Sequence, residues 1–308
     1  MPDPPAFKRV AILGVGLIGG SFGMALRAKR MAREVVGIGR STDRLRMAAD
    51  LGAVDSWTLD IEEGVHKADL FYIATPVRSV IPLLAEALPF LDANCVVTDA
   101  GSTKSEICRA ATELLEERAA FVGGHPMAGS EEAGVSAARA DLFEGSTYVL
   151  TPDAETDFDV VRRISATIEG IGARVVTMDP DEHDRCAAVV SHLPHVMAAA
   201  LVLLAQEAAE RNPVLFELVA GSFRDMTRVA ASPPVLWRDI CLTNASAVGE
   251  SAAGLFSAIV RAVEYMRSGD SESLGRWFAD AKAARDELYG CSESQDQGPA
   301  SDFSVPQP

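Results

Sequence analysis

The sequence predicts an α/β protein, an N-terminal doubly wound parallel sheet followed by an all-α C-terminal domain. Three observations carry this. Short apolar strands alternate with helical stretches through the first 178 residues. A glycine-rich turn separates the first strand from the first helix. Beyond Pro180 the strand signals stop and alanine-rich helical patterns take over. Domains are therefore expected at 1–178 and 179–291. Residues 292–308, rich in Gln, Ser, Pro and acids, are expected to form a disordered tail.

The chain of 308 residues is long enough for two domains and a well-buried core, and its 48% hydrophobic content is that of a globular protein. A formal net charge of −16 argues against nucleic acid and anionic membrane surfaces as partners, since both demand basic patches. Pro, Asp and Pro near the N-terminus break the pattern of a signal peptide. The five cysteines are scattered and never spaced CxxC, which fits a reducing cytoplasm and argues against a zinc site. Between Arg185 and Glu207 the only ionisable side chains besides Cys186 are His192 and His195. Ser191, two histidines and Pro194 interrupt that run, so a buried helix at a domain or subunit interface is expected rather than a membrane span.

In chain order, residues 9–13 form a buried strand, and Gly14-Val15-Gly16-Leu17-Ile18-Gly19 leads into a helix reaching about residue 30. The spacing is G-x-G-x-x-G in the context that gives it meaning, after a strand and opening a helix. Gly14 permits the tight turn, Gly16 lets backbone approach a pyrophosphate, and Gly19 lets the helix pack on the sheet. The helix start at Leu17 and Ile18 offers unpaired N–H groups to phosphate. The pattern predicts a Rossmann-type dinucleotide site. The strand at 34–38 ends on Gly39, where an acid would hydrogen-bond an adenosine ribose; Arg40, Ser41, Thr42 and Arg44 follow. Without the acid, and with an arginine and hydroxyls, NADP is favoured over NAD. Strands are further expected at 69–74, ending in Thr75 and Pro76, and at 95–98, 147–151 and 173–178. Helices are expected at 79–88, 158–170, 183–211, 213–230, 233–268 and 270–289.

The chemistry is expected in Ala120–Glu131, AFVGGHPMAGSE. An apolar run leads into two glycines, and His125 is held between Gly124 and Pro126. This reads as a loop at a strand end, beside flexible backbone, with His125 as a general base. Ser102 lies at the end of an earlier strand and should share the same sheet edge, near the nicotinamide end of the cofactor. It could also cap a helix starting near Thr103.

Several motifs occur together in order: GVGLIGGS at 14–21, DAGSTK at 99–104, HPMAG at 125–129, SHLPH at 191–195, FRDMTR at 223–228 and WRD at 237–239. With them the chain closely resembles the prephenate/arogenate (cyclohexadienyl) dehydrogenase family of tyrosine biosynthesis, from about Val10 to about Tyr289. The resemblance implies oxidation of a ring hydroxyl carbon by NAD(P) with loss of CO2. It implies His125 as catalytic base and Ser102 as its hydroxyl partner. Arg228 is implied as the carboxylate-binding arginine, with Ser191 and His195 facing substrate and His192 structural. Glu131, Asp225 and Trp237 match positions near the family's site, and Glu131 could pair with Arg228 and gate access. The alanine-rich, uncharged helices point to a homodimer through the helical half; His192 and His195, three apart, could share a metal, but no third ligand is evident and none is expected. A β-hydroxyacid dehydrogenase is the alternative, but residues 179–290 offer only Lys282 as a catalytic lysine. A nucleotide sensor without chemistry is the other, and it would not need His125, Ser102 and Arg228 together.

Overall fold

The computed structural model describes residues 7–293 apart from Glu117, Ser130 and Glu131. Eight strands form one sheet: β1 (Phe7–Leu13), β2 (Ala32–Ile38), β3 (Ser56–Thr58), β4 (Leu70–Ile73), β5 (Val96–Asp99), β6 (Ala120–Pro126), β7 (Thr147–Pro152) and β8 (Arg174–Thr177). Their order is β3-β2-β1-β4-β5-β6-β7-β8. The chain winds outward from β1 to β3, then returns to lay β4 against the other side of β1. This reversal opens a crevice at the carboxyl ends of β1 and β4, where such sheets bind ligands.

Helices α1 (Leu17–Ala28), α2 (Thr42–Asp50), α3 (Ile61–Val65), α4 (Val80–Ala87), α5 (Ser105–Leu115) and α6 (Phe158–Gly170) cover the sheet. Two apolar layers result, one on each face. In one, the Phe22 ring stacks on Tyr72 at 4.0 Å, and the Tyr72 hydroxyl meets that of Tyr148 at 3.2 Å. Burying one such ring contributes about 1.5–3 kcal/mol, and the phenol pair keeps both polar ends satisfied.

Two strand expectations change. The sheet is not wholly parallel: β7 runs antiparallel to β6, pairing His125 with Val149, and β8 is parallel to β7. His125 accordingly sits in strand β6 and not on a loop. Its glycine neighbours serve close packing rather than flexibility. A Cβ on Gly123 would lie 2.3 Å from Thr151 Oγ1, and one on Gly124 would lie 2.6 Å from the Asp99 carbonyl oxygen. The helices α2 and α3 and strand β3 went unforeseen, because their segments are short or rich in charged residues, whereas α5 is the helix expected to start near Thr103.

Beyond β8 come α7 (Pro180–Ala187), α8 (Leu193–Arg211), α9 (Gly221–Thr227), α10 (Pro234–Thr243), α11 (Ala245–Ser268) and α12 (Ser271–Glu293). The stretch expected as one helix at 213–230 is a 3-10 turn, the short α9 and a second 3-10 turn. The helix expected over 233–268 breaks at Asn244. Helix α12 runs through Ser292 and Glu293, so a tail does not begin at 292; residues 294–308 lie outside the described ones.

The uncharged run is not buried within the chain. Helix Pro180–Arg211 is long and apolar enough to cross a bilayer by length and composition, yet Val190 is 67% exposed and Leu203 64%. One π-helical turn, Ala188–His192, joins α7 to α8, with Leu193 N donating to the Ala188 carbonyl. Pro194 supplies the reason. It has no N–H to give the Val190 carbonyl, and a wider turn accommodates the missing bond. By contact density the chain divides into two compact units, 1–249 and 250–308. All strands, and every element of the site described next, belong to the first.

Candidate active site

Gly14 ends β1 with a φ of 95° and no room for a side chain: a Cβ would lie 2.5 Å from the Ala74 carbonyl oxygen. Gly19 is equally confined, its Cβ falling 2.2 Å from the Gly14 oxygen. Gly16 differs, with nothing within 4 Å of where a Cβ would be. It caps α1 with no side-chain hydrogen bond, so the first-turn N–H groups at Leu17 and Ile18 stay open. Thr75 Oγ1 is buried and has no partner among the described residues. An open helix N-terminus, a bare glycine and an orphaned hydroxyl on one crevice fit a dinucleotide pyrophosphate.

These groups line a cavity of ≈ 390 Å3 that also takes in Pro76, Ser102 and His125. At the far end of β2, Gly39 packs on the Leu45 side chain and Arg40 is exposed. The Ser41 hydroxyl accepts from Arg44 N at 3.5 Å, capping α2. Beside the crevice lies a second cavity of ≈ 420 Å3. Ser102, His125, Ser191, His195, Arg228 and Trp237 all line it. Six positions separated by up to 135 residues of sequence thus converge, and Ser102 and His125 face both cavities. Asp225, on α9, is exposed and does not line it. Glu131 lies outside the described residues.

A buried ion pair fixes the end of β6. Lys104 Nζ pairs with Asp99 Oδ2, both side chains fully buried, and also donates to the Gly124 carbonyl at 2.7 Å. Asp99 accepts in return from Gly124 N at 3.1 Å and Gly101 N at 2.7 Å. The loop carrying Ser102 and the strand carrying His125 are therefore bolted to the same two charges. Ser102 does not cap α5, whose N-terminus at Ser105 has a distant partner instead. The Asp184 carboxylate accepts from Lys104 N at 2.7 Å and Ser105 N at 2.9 Å.

Sequence reasoning missed His183, next to Asp184 in α7. Its Nδ1 lies 2.8 Å from Asp184 Oδ1, and its Nε2 lies 2.8 Å from His125 Nδ1. Asp184 accepts two backbone N–H bonds and acts as a carboxylate, so His183 Nδ1–H donates to it. With its Nδ1–H given to Asp184, His183 offers Nε2 to accept from His125 Nδ1–H, which leaves His125 Nε2 as the bare nitrogen. Burial opposes the Asp184 charge, but the bonds from His183, Ser105 and Lys104 hold its carboxyl below the usual range. Burial first, then His183, Lys104 and His192, hold His125 well below 6.5, so it is a neutral base at pH 7.

His192 is fully buried, and burial pushes it down to about 4 despite the opposing pull of Asp184. His195 stacks on Trp237, with ring centroids 3.4 Å apart and planes 19° from parallel. Its Nδ1–H donates to the Ser191 carbonyl at 2.9 Å. Burial lowers its pKa, against that hydrogen bond and with help from Arg228. Four of the chain's five histidines meet here. That scarcity was the signal that could have found His183.

A dinucleotide cradle that opens onto a neutral buried histidine defines an NAD(P)-dependent oxidoreductase. Two family models divide most of the chain between them, the prephenate dehydrogenase nucleotide-binding domain over residues 22–177 and the prephenate dehydrogenase dimerization domain over 179–280. The chain belongs to the prephenate dehydrogenase family. It is 38% identical to a prephenate dehydrogenase of Bacillus subtilis over 280 residues, 91% of this chain and 76% of that one. It is 36% identical to a cyclohexadienyl dehydrogenase of Zymomonas mobilis over 91% of this chain and 95% of that one. Among solved structures it is similar to prephenate dehydrogenase from A. aeolicus in complex with hydroxyphenyl propionate and NAD+. The TM-score is 0.86 and the identity 33%, covering 91% of this chain and 98% of that one.

Removing the buried cation tests the frame. Lys104→Met leaves Asp99 charged and unpaired, and should cost about 3–5 kcal/mol, read as a lowered urea midpoint at unchanged slope. A loss under about 1 kcal/mol, the value of an exposed pair, would show that this pair does not hold β6.

Proposed function

We propose that the protein catalyses the oxidative decarboxylation of prephenate or arogenate, yielding 4-hydroxyphenylpyruvate or tyrosine, as a step of tyrosine biosynthesis. The observation that carries this is the cavity that gathers Ser102, His125, Ser191, His195, Arg228 and Trp237 and shares Ser102 and His125 with the dinucleotide crevice. When bound there, the nicotinamide supplies the hydride acceptor. His125 Nε2 takes the proton of the ring hydroxyl as the C4 hydride leaves and a carbonyl forms. The bond from the ring to its carboxylate breaks, CO2 departs, and the electron pair enters the ring, which becomes aromatic as the carbonyl oxygen turns into a phenolate that takes the proton back from His125 Nε2. His183 and Asp184 position His125 in the tautomer that leaves this nitrogen bare.

Ser102 is assigned a hydrogen bond to the reacting hydroxyl, and Arg228 a bidentate grip on a substrate carboxylate. Ser191, His195 and Trp237 complete the substrate wall. Glu131 keeps its assignment near Arg228. We assign residues 1–178 to holding the nucleotide and 179–291 to substrate and dimerisation. Gly14, Gly16, Leu17, Ile18 and Gly19 receive the pyrophosphate, with Thr75 and Pro76 beside the nicotinamide. The missing acid at Gly39, with Arg40 and Ser41, favours NADP. The exposed aliphatic face of α8 is read as a homodimer surface and not a lipid contact. Cys95, Cys108, Cys186 and Cys241 are free thiols, which suits a cytoplasmic location.

Purified protein given prephenate or arogenate with NADP or NAD should reduce the cofactor, and no turnover with any pair would overturn the reading. His125→Asn should lower kcat by about 10²–10⁴-fold while still binding cofactor. In the intact enzyme the depressed basicity of His125 should put the acid limb of kcat/KM below pH 6.5. Arg40→Ala should raise KM for NADP about tenfold or more and leave NAD nearly unchanged, the loss of one charge-assisted contact; equal effects on both cofactors would remove Arg40 from the phosphate. In sedimentation the protein should run as a dimer, and a monomer would contradict the role given to α8.

A further inference from the structure

One buried polar atom on the cavity that His125 lines has no partner among the described residues. His192 is fully buried, and its Nε2 has no hydrogen-bond partner among the described residues. Its ring lines the same cavity as Ser102 and Arg228. The other nitrogen is committed. Asn244 Nδ2 donates to the Asp184 carbonyl at 2.7 Å, which identifies the NH2 end of that amide. Its second proton then goes to His192 Nδ1 at 3.0 Å. Because Nδ1 accepts, the proton of the neutral ring sits on Nε2. A buried amide thus fixes His192 as an N–H donor.

His195, three residues on, has the opposite tautomer. Its Nδ1–H is given to the Ser191 carbonyl, and its Nε2 is an acceptor. Arg228 brings a positive charge to this wall, and the described lining contains no aspartate or glutamate. Prephenate and arogenate differ at a single side-chain group, a keto oxygen in one and an ammonium in the other. A keto oxygen is an acceptor and meets the His192 donor. An ammonium has three donors and no lone pair. It would confront the His192 N–H donor to donor, in a cavity that the Arg228 cation also lines.

We propose that His192 donates its Nε2–H to the side-chain keto oxygen of the substrate and so makes this enzyme select the keto acid prephenate over the amino acid arogenate. This makes His192 a specificity-determining residue and not a structural one. The inference rests on the dehydrogenase reading given above.

The intact enzyme decides it, by kcat/KM for prephenate and for arogenate at saturating NADP and again at saturating NAD. Sites that hydrogen-bond a substrate group discriminate strongly against an analogue that lacks it, so prephenate should lead by roughly 100-fold or more. Equal values, or a lead for arogenate, would overturn the inference while leaving the dehydrogenase reading intact. If neither compound is oxidised, the dehydrogenase reading fails and the inference falls with it. His192→Phe puts a somewhat larger ring in its place and removes the donor, together with the acceptor that Asn244 uses. It should lower kcat/KM for prephenate by roughly 30-fold and change that for arogenate less than about threefold, so the preference collapses. An unchanged preference in a variant with normal melting and cofactor binding would overturn the role of His192. Should that variant not fold, the ratio for the intact enzyme still decides.

Discussion

The salt bridge between Asp99 and Lys104 is buried on every side, and two charges taken out of water tolerate little displacement. Each has further bonds that make the arrangement specific. Lys104 holds the Gly124 carbonyl, and Asp99 holds the N–H groups of Gly101 and Gly124. Ser102 follows one of these anchors by a single residue, and His125 follows the other. The nucleophile-free chemistry read for this site needs only that a hydroxyl, an imidazole and a cofactor keep fixed positions. The ion pair provides that fixity, and the glycines at 123 and 124 let strand β6 pack closely beside it.

A second chain of constraint begins at Asp184. Its carboxylate ends α5 through two backbone bonds and orients His183, which orients His125. The same residue's carbonyl fixes the Asn244 amide, which orients His192. One residue of α7 therefore sets the proton positions on three imidazoles, using its side chain for two and its backbone for the third. The arrangement is local enough to work inside a strongly acidic chain. Among the described lining residues the positive charge is that of Arg228, so the role proposed for it rests on placement rather than on the field of the whole protein.

Much of the fold was legible because its signals are local. Gly14 to Gly19 carry a turn, a close approach and a helix start within six residues, and the strands flanking them are short apolar runs. The sheet's antiparallel step at β7 was not legible, since a strand's direction depends on the connection that precedes it and not on its own residues. His125 was found by its Gly-Pro flanks but assigned to a loop, because two adjacent glycines look alike whether they bend or pack. His183 and Asn244 carry no local pattern at all. They act only through partners 58 and 52 residues away, a relation that periodicity cannot express. The exposed face of α8 agrees with the expected interface helix: apolar sequence says that a surface wants covering, and the chain alone leaves it uncovered.

The π-helical turn before Pro194 has a consequence that reaches past the missing hydrogen bond. An α-helix advances by about 100° per residue, so one extra residue in a turn rotates everything downstream by roughly that angle. His183 lies upstream of the turn, while His195 and the aliphatic residues Leu203 and Leu204 lie downstream. The bulge therefore acts as an angular offset between His183, which contacts His125, and the residues that line the cavity and the outer face. Deleting a single residue there would preserve the helix and its composition. It would nonetheless turn His195 away from Trp237 and swing the aliphatic face around the helix axis in the same movement.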